Sequence, residues 1–210
     1  MTKKIDRETK IDTYREVKAI LIGETGVGKT NLINTSVGKP FDDNEKSTYT
    51  SNFVQLKFKI DNNKYIIDLW DTAGQEKFRG TTKLFFKSSR IVIFVYDITN
   101  KRSFEELDNY WIKEVEEHLG DKAVYGIVGN KKDLDKEKEI SEETVKQFAD
   151  SKKMAFKLVS AKKDPKLFND FLEELLKKKI LLFDEKEKET LKIHRKIMMR
   201  EESGSCVCSK

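Results

Sequence analysis

Eight residues, Gly23-Glu24-Thr25-Gly26-Val27-Gly28-Lys29-Thr30, constrain this 210-residue chain more than any other stretch. They fit the pattern GxxxxGK[ST]. An apolar run, Val17-Lys18-Ala19-Ile20-Leu21-Ile22, precedes them and reads as a buried strand. Gly28 to Val37 suits a helix that starts at the glycine-rich turn. In that context the glycines let the backbone curl until successive N–H groups face phosphate oxygens. The helix N-terminus adds its positive dipole end. Thr25, Gly26, Val27 and Gly28 then form a phosphate cradle, Lys29 reaches the outer phosphates, and the Thr30 hydroxyl holds Mg²⁺. The motif implies a nucleoside triphosphate and leaves the base open.

The rest of the chain alternates strand and helix patterns. Phe53 to Ile60 places Leu56, Phe58 and Ile60 on one face and Gln55, Lys57 and Lys59 on the other. Asp61-Asn62-Asn63 is turn chemistry, and Tyr65 to Trp70 completes a hairpin. Unbroken apolar runs at Ile91 to Tyr96 and Val124 to Val128 predict buried strands, and Ala155 to Val159 predicts another strand. Helices are predicted at Ser103 to His118, Ser141 to Ser151 and Leu167 to Phe183. Ser103, with Glu106 three residues on, predicts a capping box for the first of these. Together these elements imply an α/β fold class: a P-loop NTPase fold with a mostly parallel six-stranded sheet, one antiparallel edge strand and helices on both faces. One such domain is expected over 16–183. Residues 1–15 read as a disordered extension and 184–210 as a charged tail.

Three further segments lie at strand ends, where open α/β sheets bind ligands. Gly129-Asn130-Lys131-Lys132-Asp133 offers a carboxylate, Asp133, that can accept from guanine N1–H and its exocyclic amine together. Adenine presents neither donor there, so it leaves Asp133 unpaired. The Lys131 stem can lie along the ring plane, with Asn130 beside it. The backbone of Ser160-Ala161-Lys162 can meet the guanine carbonyl oxygen. Asp71-Thr72-Ala73-Gly74-Gln75-Glu76 comes directly after another strand. Asp71 is placed to grip Mg²⁺ through water. Gly74 can bring a backbone N–H close to a third phosphate, and Gln75 can orient the attacking water. Thr48, in the polar loop before the hairpin, can close on Mg²⁺ when the third phosphate is present.

With these motifs in order, the chain resembles a Ras-superfamily small GTPase over roughly Val17 to Phe183. Within the superfamily it is most similar to Rab proteins. Trp70-Asp71-Thr72-Ala73-Gly74-Gln75-Glu76-Lys77-Phe78-Arg79 has the Rab form of the second switch, and Phe94-Val95-Tyr96-Asp97-Ile98-Thr99 also looks like a Rab. The resemblance implies a GTP/GDP switch with Mg²⁺, and it places Phe41 on the guanine face. It implies an exchange factor, a GTPase-activating protein, a GDP-dissociation inhibitor or escort protein, and effectors. It also implies a role in vesicle traffic at the cytoplasmic face of intracellular membranes, as a monomer cycling with the cytosol. Two segments depart from the Rab pattern. Tyr49-Thr50-Ser51-Asn52-Phe53 stands where Rabs carry Ile-Gly-Val-Asp-Phe, and Phe85-Phe86-Lys87-Ser88-Ser89 where they tend to have two tyrosines and Arg-Gly-Ala.

Composition narrows the remaining classes. Charged residues make up 38% and hydrophobic residues 37%, enough apolar surface for a core. A net charge of +5 on so charged a surface gives no case for nucleic-acid binding. Met1 to Arg15 is too charged for a secretory signal, and Thr2 removes the glycine that myristoylation needs. The two cysteines, Cys206 and Cys208, exclude a disulfide-stapled core. A CaaX signal needs cysteine where Val207 stands. In a Rab-like chain, paired cysteines here imply double geranylgeranylation and membrane attachment through prenyl groups. The tail before them balances six basic against six acidic residues from Asp184 to Glu202, so it adds little attraction to anionic lipid. Three alternatives stay open: a GTP-bound docking module with little hydrolysis, another branch of the superfamily, and an ATP-dependent P-loop enzyme, which Asp133 disfavours.

Overall fold

A computed structural model describes residues 14–45, 48, 52–72 and 79–182. The chain order is β1 (Tyr14–Ile22), α1 (Lys29–Ser36), β2 (Asn52–Ile60), β3 (Asn63–Asp71), α2 (Arg79–Phe86), β4 (Ile91–Asp97), α3 (Lys101–Glu106), α4 (Ile112–Leu119), β5 (Val124–Asn130), α5 (Glu142–Ser151), β6 (Ala155–Leu158) and α6 (165–182). A π-helical turn, Leu107–Trp111, joins α3 to α4. The six strands form one sheet in the order β2-β3-β1-β4-β5-β6. Only β2 and β3 pair antiparallel, and the other four pairings are parallel. The chain therefore leaves β1 toward β3 on one side and β4 on the other, which opens a crevice at the carboxyl ends of these strands.

Period-two alternation sorts the central strands between two cores. Ala19, Leu21, Ile91, Ile93 and Val95 face Leu32 of α1 and Phe168, Phe171, Leu172 and Leu175 of α6. Ile20, Ile22, Val92, Phe94 and Tyr96 face Trp111, Ile112 and Val115, and beyond them Val145 and Ala149 of α5. Each such fully buried large side chain contributes about 1.5–3 kcal/mol relative to leaving it exposed. These two clusters hold β1 and β4 rigid, so the loops at their ends start from fixed points. No helix among the described residues is long and apolar enough to cross a membrane.

Several boundaries differ from the sequence-based expectation. β1 begins at Tyr14, inside the stretch expected to be disordered. Tyr14 and Arg15 are drawn into register with Lys64 and Tyr65 of β3, and the Tyr14 ring sits under the ammonium groups of Lys57 and Lys64. A partner strand thus recruits residues whose own pattern is not strand-like. The helix expected to start at Ser103 starts at Lys101. Asn100 is its cap and accepts from the Ser103 N–H at 3.3 Å. The Ser103 hydroxyl instead donates to the Asn100 carbonyl at 2.6 Å. Asn100 has the extended backbone that a cap requires, whereas Ser103 is already inside the helix. At α5, predicted from Ser141, that serine is the cap and accepts from the Thr144 N–H at 3.1 Å.

Candidate nucleotide site

The phosphate-loop segment runs from the end of β1 to the start of α1. Gly23 must be glycine because a Cβ there would lie 2.1 Å from the Val95 carbonyl oxygen. Gly28 has φ of +91° and leaves room for the Asn130 amide, 2.3 Å from where its Cβ would stand. α1 has no capping side chain and no acidic residue in its first turn. Its N-terminal dipole is therefore available to an external anion. Lys29 is buried, and its Nζ donates to the Gly23 carbonyl at 2.7 Å and the Glu24 carbonyl at 2.8 Å. Burial pushes its pKa down to about 8, with the Asp71 and Glu24 charges opposing that fall.

Beside Lys29, three oxygens from three separate segments meet. The Thr30 hydroxyl donates to Asp71 Oδ2 at 2.8 Å, and Thr48 Oγ1 lies 2.8 Å from Thr30 Oγ1 and 3.2 Å from the same carboxylate oxygen. Asp71 Oδ1 is buried and has no hydrogen-bond partner among the described residues. Burial raises the Asp71 pKa, while the Thr30 hydrogen bond and the Lys29 charge oppose the rise. An orphaned buried carboxylate oxygen beside two hydroxyls fits a hard divalent cation that prefers oxygen ligands.

Lys29, Thr30 and Thr48 line a cavity of about 510 Å³, which Asp71 itself does not line. Its walls include Thr25, Gly26, Gly28, Lys29 and Thr30 on one side and Asn130, Lys131, Asp133, Ala161 and Lys162 on the other. Phe41 and Thr48 close the rim. Val27 does not line the cavity; its carbonyl accepts from the Asn130 amide at 2.9 Å. Ser160 also lies behind the wall, donating to Asp133 Oδ1 at 2.5 Å and accepting from the Lys163 N–H at 3.0 Å. Gly74, Gln75, Cys206 and Cys208 lie outside the described residues.

Several details were not legible in the motifs. Asn130 Oδ1 accepts from the Ala161 N–H at 3.2 Å, so one carboxamide joins the phosphate loop, its own loop and the 160–162 loop. Asn130 thus ties these loops together, with the Ala161 N–H directed at its carboxamide. Lys131 has a left-handed backbone, φ of +65°, and its ammonium lies 2.5 Å from Asp97 Oδ2. Lys162 pairs with Asp43 at 2.8 Å and sits over the Phe41 ring, 5.3 Å from its centroid. Asn31 braces the loop that carries Phe41 by exchanging two hydrogen bonds with the Asp42 backbone. Asn31, Asp43 and Asp97 are solvated polar residues by local pattern. Only the packing of distant loops gives them these partners.

The Ras family profile matches residues 18–181. Among curated relatives, Rab-21 of Geodia cydonium is 37% identical over 79% of this chain and 71% of its own length. Human Rab-22A is 38% identical over 70% of this chain and 76% of its own. Human Rab-30 is 34% identical over 74% and 76%. A P-loop sheet with guanine-type loops at its switch point and this degree of likeness lead to one conclusion: the chain belongs to the Ras family and is a Rab-like small GTPase.

Proposed function

We propose that the 510 Å³ cavity is where this GTPase holds GTP and GDP with Mg²⁺, and that the protein switches partners in vesicle traffic. The meeting of Thr30, Thr48 and Asp71 oxygens beside Lys29 carries this assignment. When bound, Mg²⁺ neutralises charge on the outer phosphate oxygens; the Thr30 and Thr48 hydroxyls would hold it, with Asp71 gripping it through water. Lys29 places a fixed cation against the same phosphates. Asp133 selects the base, and the Phe41 ring lies on the base face. Gly74 supplies an N–H toward the third phosphate, and Gln75 orients the water whose oxygen forms the new bond to the terminal phosphorus as the bond from that phosphorus to the bridging oxygen breaks and the electron pair leaves on GDP. The products are GDP and phosphate, with no covalent enzyme intermediate. Catalysis is positioning plus charge neutralisation, and an arginine from an activating protein would accelerate it by roughly 10³–10⁵.

Thr48 arrives from a loop 18 residues beyond Thr30 and shares its carboxylate. It is the contact that distinguishes the triphosphate state. Thr48→Ala is expected to leave GDP affinity within about threefold and to weaken capture of effectors by the GTP form about tenfold. Equal capture by Thr48→Ala and wild type in a pulldown with a non-hydrolysable GTP analogue would remove Thr48 from the switch.

Membrane attachment is assigned to Cys206 and Cys208 through geranylgeranyl groups, delivered by an escort protein and withdrawn by a dissociation inhibitor. Exchange factors and activating proteins set the nucleotide. One lipid chain anchors marginally at about 0.8 kcal/mol per buried methylene, so both are needed. Cys206→Ser with Cys208→Ser is expected to move the protein wholly to the soluble fraction while GDP binding persists. A double variant that still pellets with vesicles places the anchor elsewhere.

A further inference from the structure

Glu24 is an odd residue for a phosphate cradle, because a carboxylate repels the ligand the loop is shaped to receive. Its side chain does not line the cavity. Glu24 Oε1 instead accepts from the Trp111 indole N–H at 2.9 Å, across 87 residues of sequence. Trp111 is almost wholly buried, at 1% exposure, and it is the last residue of the π-helical turn Leu107–Trp111. One extra residue in a turn rotates the downstream helix by about 100° relative to an unbroken α-helix. The turn thereby carries the indole edge to the phosphate loop while Ile112 and Val115 still face the core. Tyr110 packs edge-on against the indole, with centroids 4.9 Å apart.

The same residue touches the phosphate machinery through its backbone. The Glu24 carbonyl is one of two that accept from Lys29 Nζ. The other, Gly23, is pinned against Val95. Glu24 is thus tied to Lys29 through its carbonyl and to Trp111 through its carboxylate. We propose that Trp111 is a positioning residue for nucleotide retention: its indole N–H holds the Glu24 carboxylate outside the cavity and so fixes the carbonyl that receives Lys29. This rests on the cavity being the nucleotide site.

The test is release of a fluorescent GDP from the full chain into excess unlabelled GDP. Trp111→Phe keeps an aromatic side chain, smaller than the indole, and removes the donor; Glu24→Ala removes the acceptor from a half-buried position that tolerates truncation. Each is expected to speed release about tenfold, the scale of one hydrogen bond to a charged group. The double variant is expected to be no faster than either single one, because both remove one contact. Glu24→Gln keeps an acceptor and loses the charge, and it is expected to restore release to within about twofold of wild type. The association rate of GDP should stay within about twofold in every variant, so that the loss appears in release alone, which separates retention from nucleotide entry. Wild-type release rates in both Trp111→Phe and Glu24→Ala overturn the proposal while leaving the nucleotide site intact. Fully additive effects overturn it too, since they mean a general loosening. Failure of the wild-type chain to bind GDP at all overturns the site assignment, and this proposal with it.

Discussion

Asp133→Asn is expected to lower affinity for GTP and GDP by about 10²–10³-fold while leaving the fold intact. A charged carboxylate that accepts two donors from one base contributes about 1.5–3 kcal/mol per hydrogen bond, and the amide replaces one acceptor oxygen with a donor. That donor would face the exocyclic amine or N1–H of guanine, adding a repulsion to the lost contact. Ser160 reports on the same change from behind. It donates to Asp133 Oδ1, so the substituted amide must either keep its oxygen toward Ser160 or turn it toward the base. With its oxygen toward Ser160 the amide turns its N–H₂ on the guanine donors; turned the other way it donates to Ser160 Oγ and offers the base a single acceptor. Equilibrium competition against a labelled guanine nucleotide measures the effect, and wild-type ATP competition runs beside it. ATP competing as well as GTP in the wild type, or unchanged GDP affinity in Asp133→Asn, removes Asp133 as the base-selecting group.

The second large effect is expected at Gln75. Gln75→Leu should leave GTP affinity within about twofold and, with an arginine-donating activating protein present, slow hydrolysis by about 10³-fold. In the mechanism proposed above the carboxamide orients a water that matters only on the way to the transition state, so its loss belongs in the rate and not in binding. The activating arginine acts on a correctly placed attack, so its contribution collapses with the water's orientation. Without an activating protein the loss should be smaller, about tenfold, because the slow intrinsic reaction has less to lose. Single-turnover hydrolysis of γ-labelled GTP reads both. Unchanged rates in Gln75→Leu take Gln75 out of the mechanism.

The features of this protein that its sequence alone determined lie within short windows. The glycine spacing of residues 23–30, the alternation of β2, the apolar runs of β4 and β5 and the Ser141 cap each depend on neighbours a few residues away. Backbone sterics and side-chain period settle them locally. The loops after β1, β3, β5 and β6 were readable for the same reason, since strand ends of a parallel sheet share one edge. The features that only the tertiary structure decided involve partners far apart in sequence. β1 gained Tyr14 because β3 lay beside it. The cap of α3 passed from Ser103 to Asn100 because the chain leaving β4 turns there, with the Asn100 N–H bonded back to the Asp97 carbonyl. Asn130 became a tie between three loops, Lys131 met Asp97, and the π-helical turn brought Trp111 to Glu24. No local pattern marks these contacts. Each exists because two hydrophobic cores fix β1, β4 and β5 side by side, and polar groups stranded at their ends must find partners across the crevice.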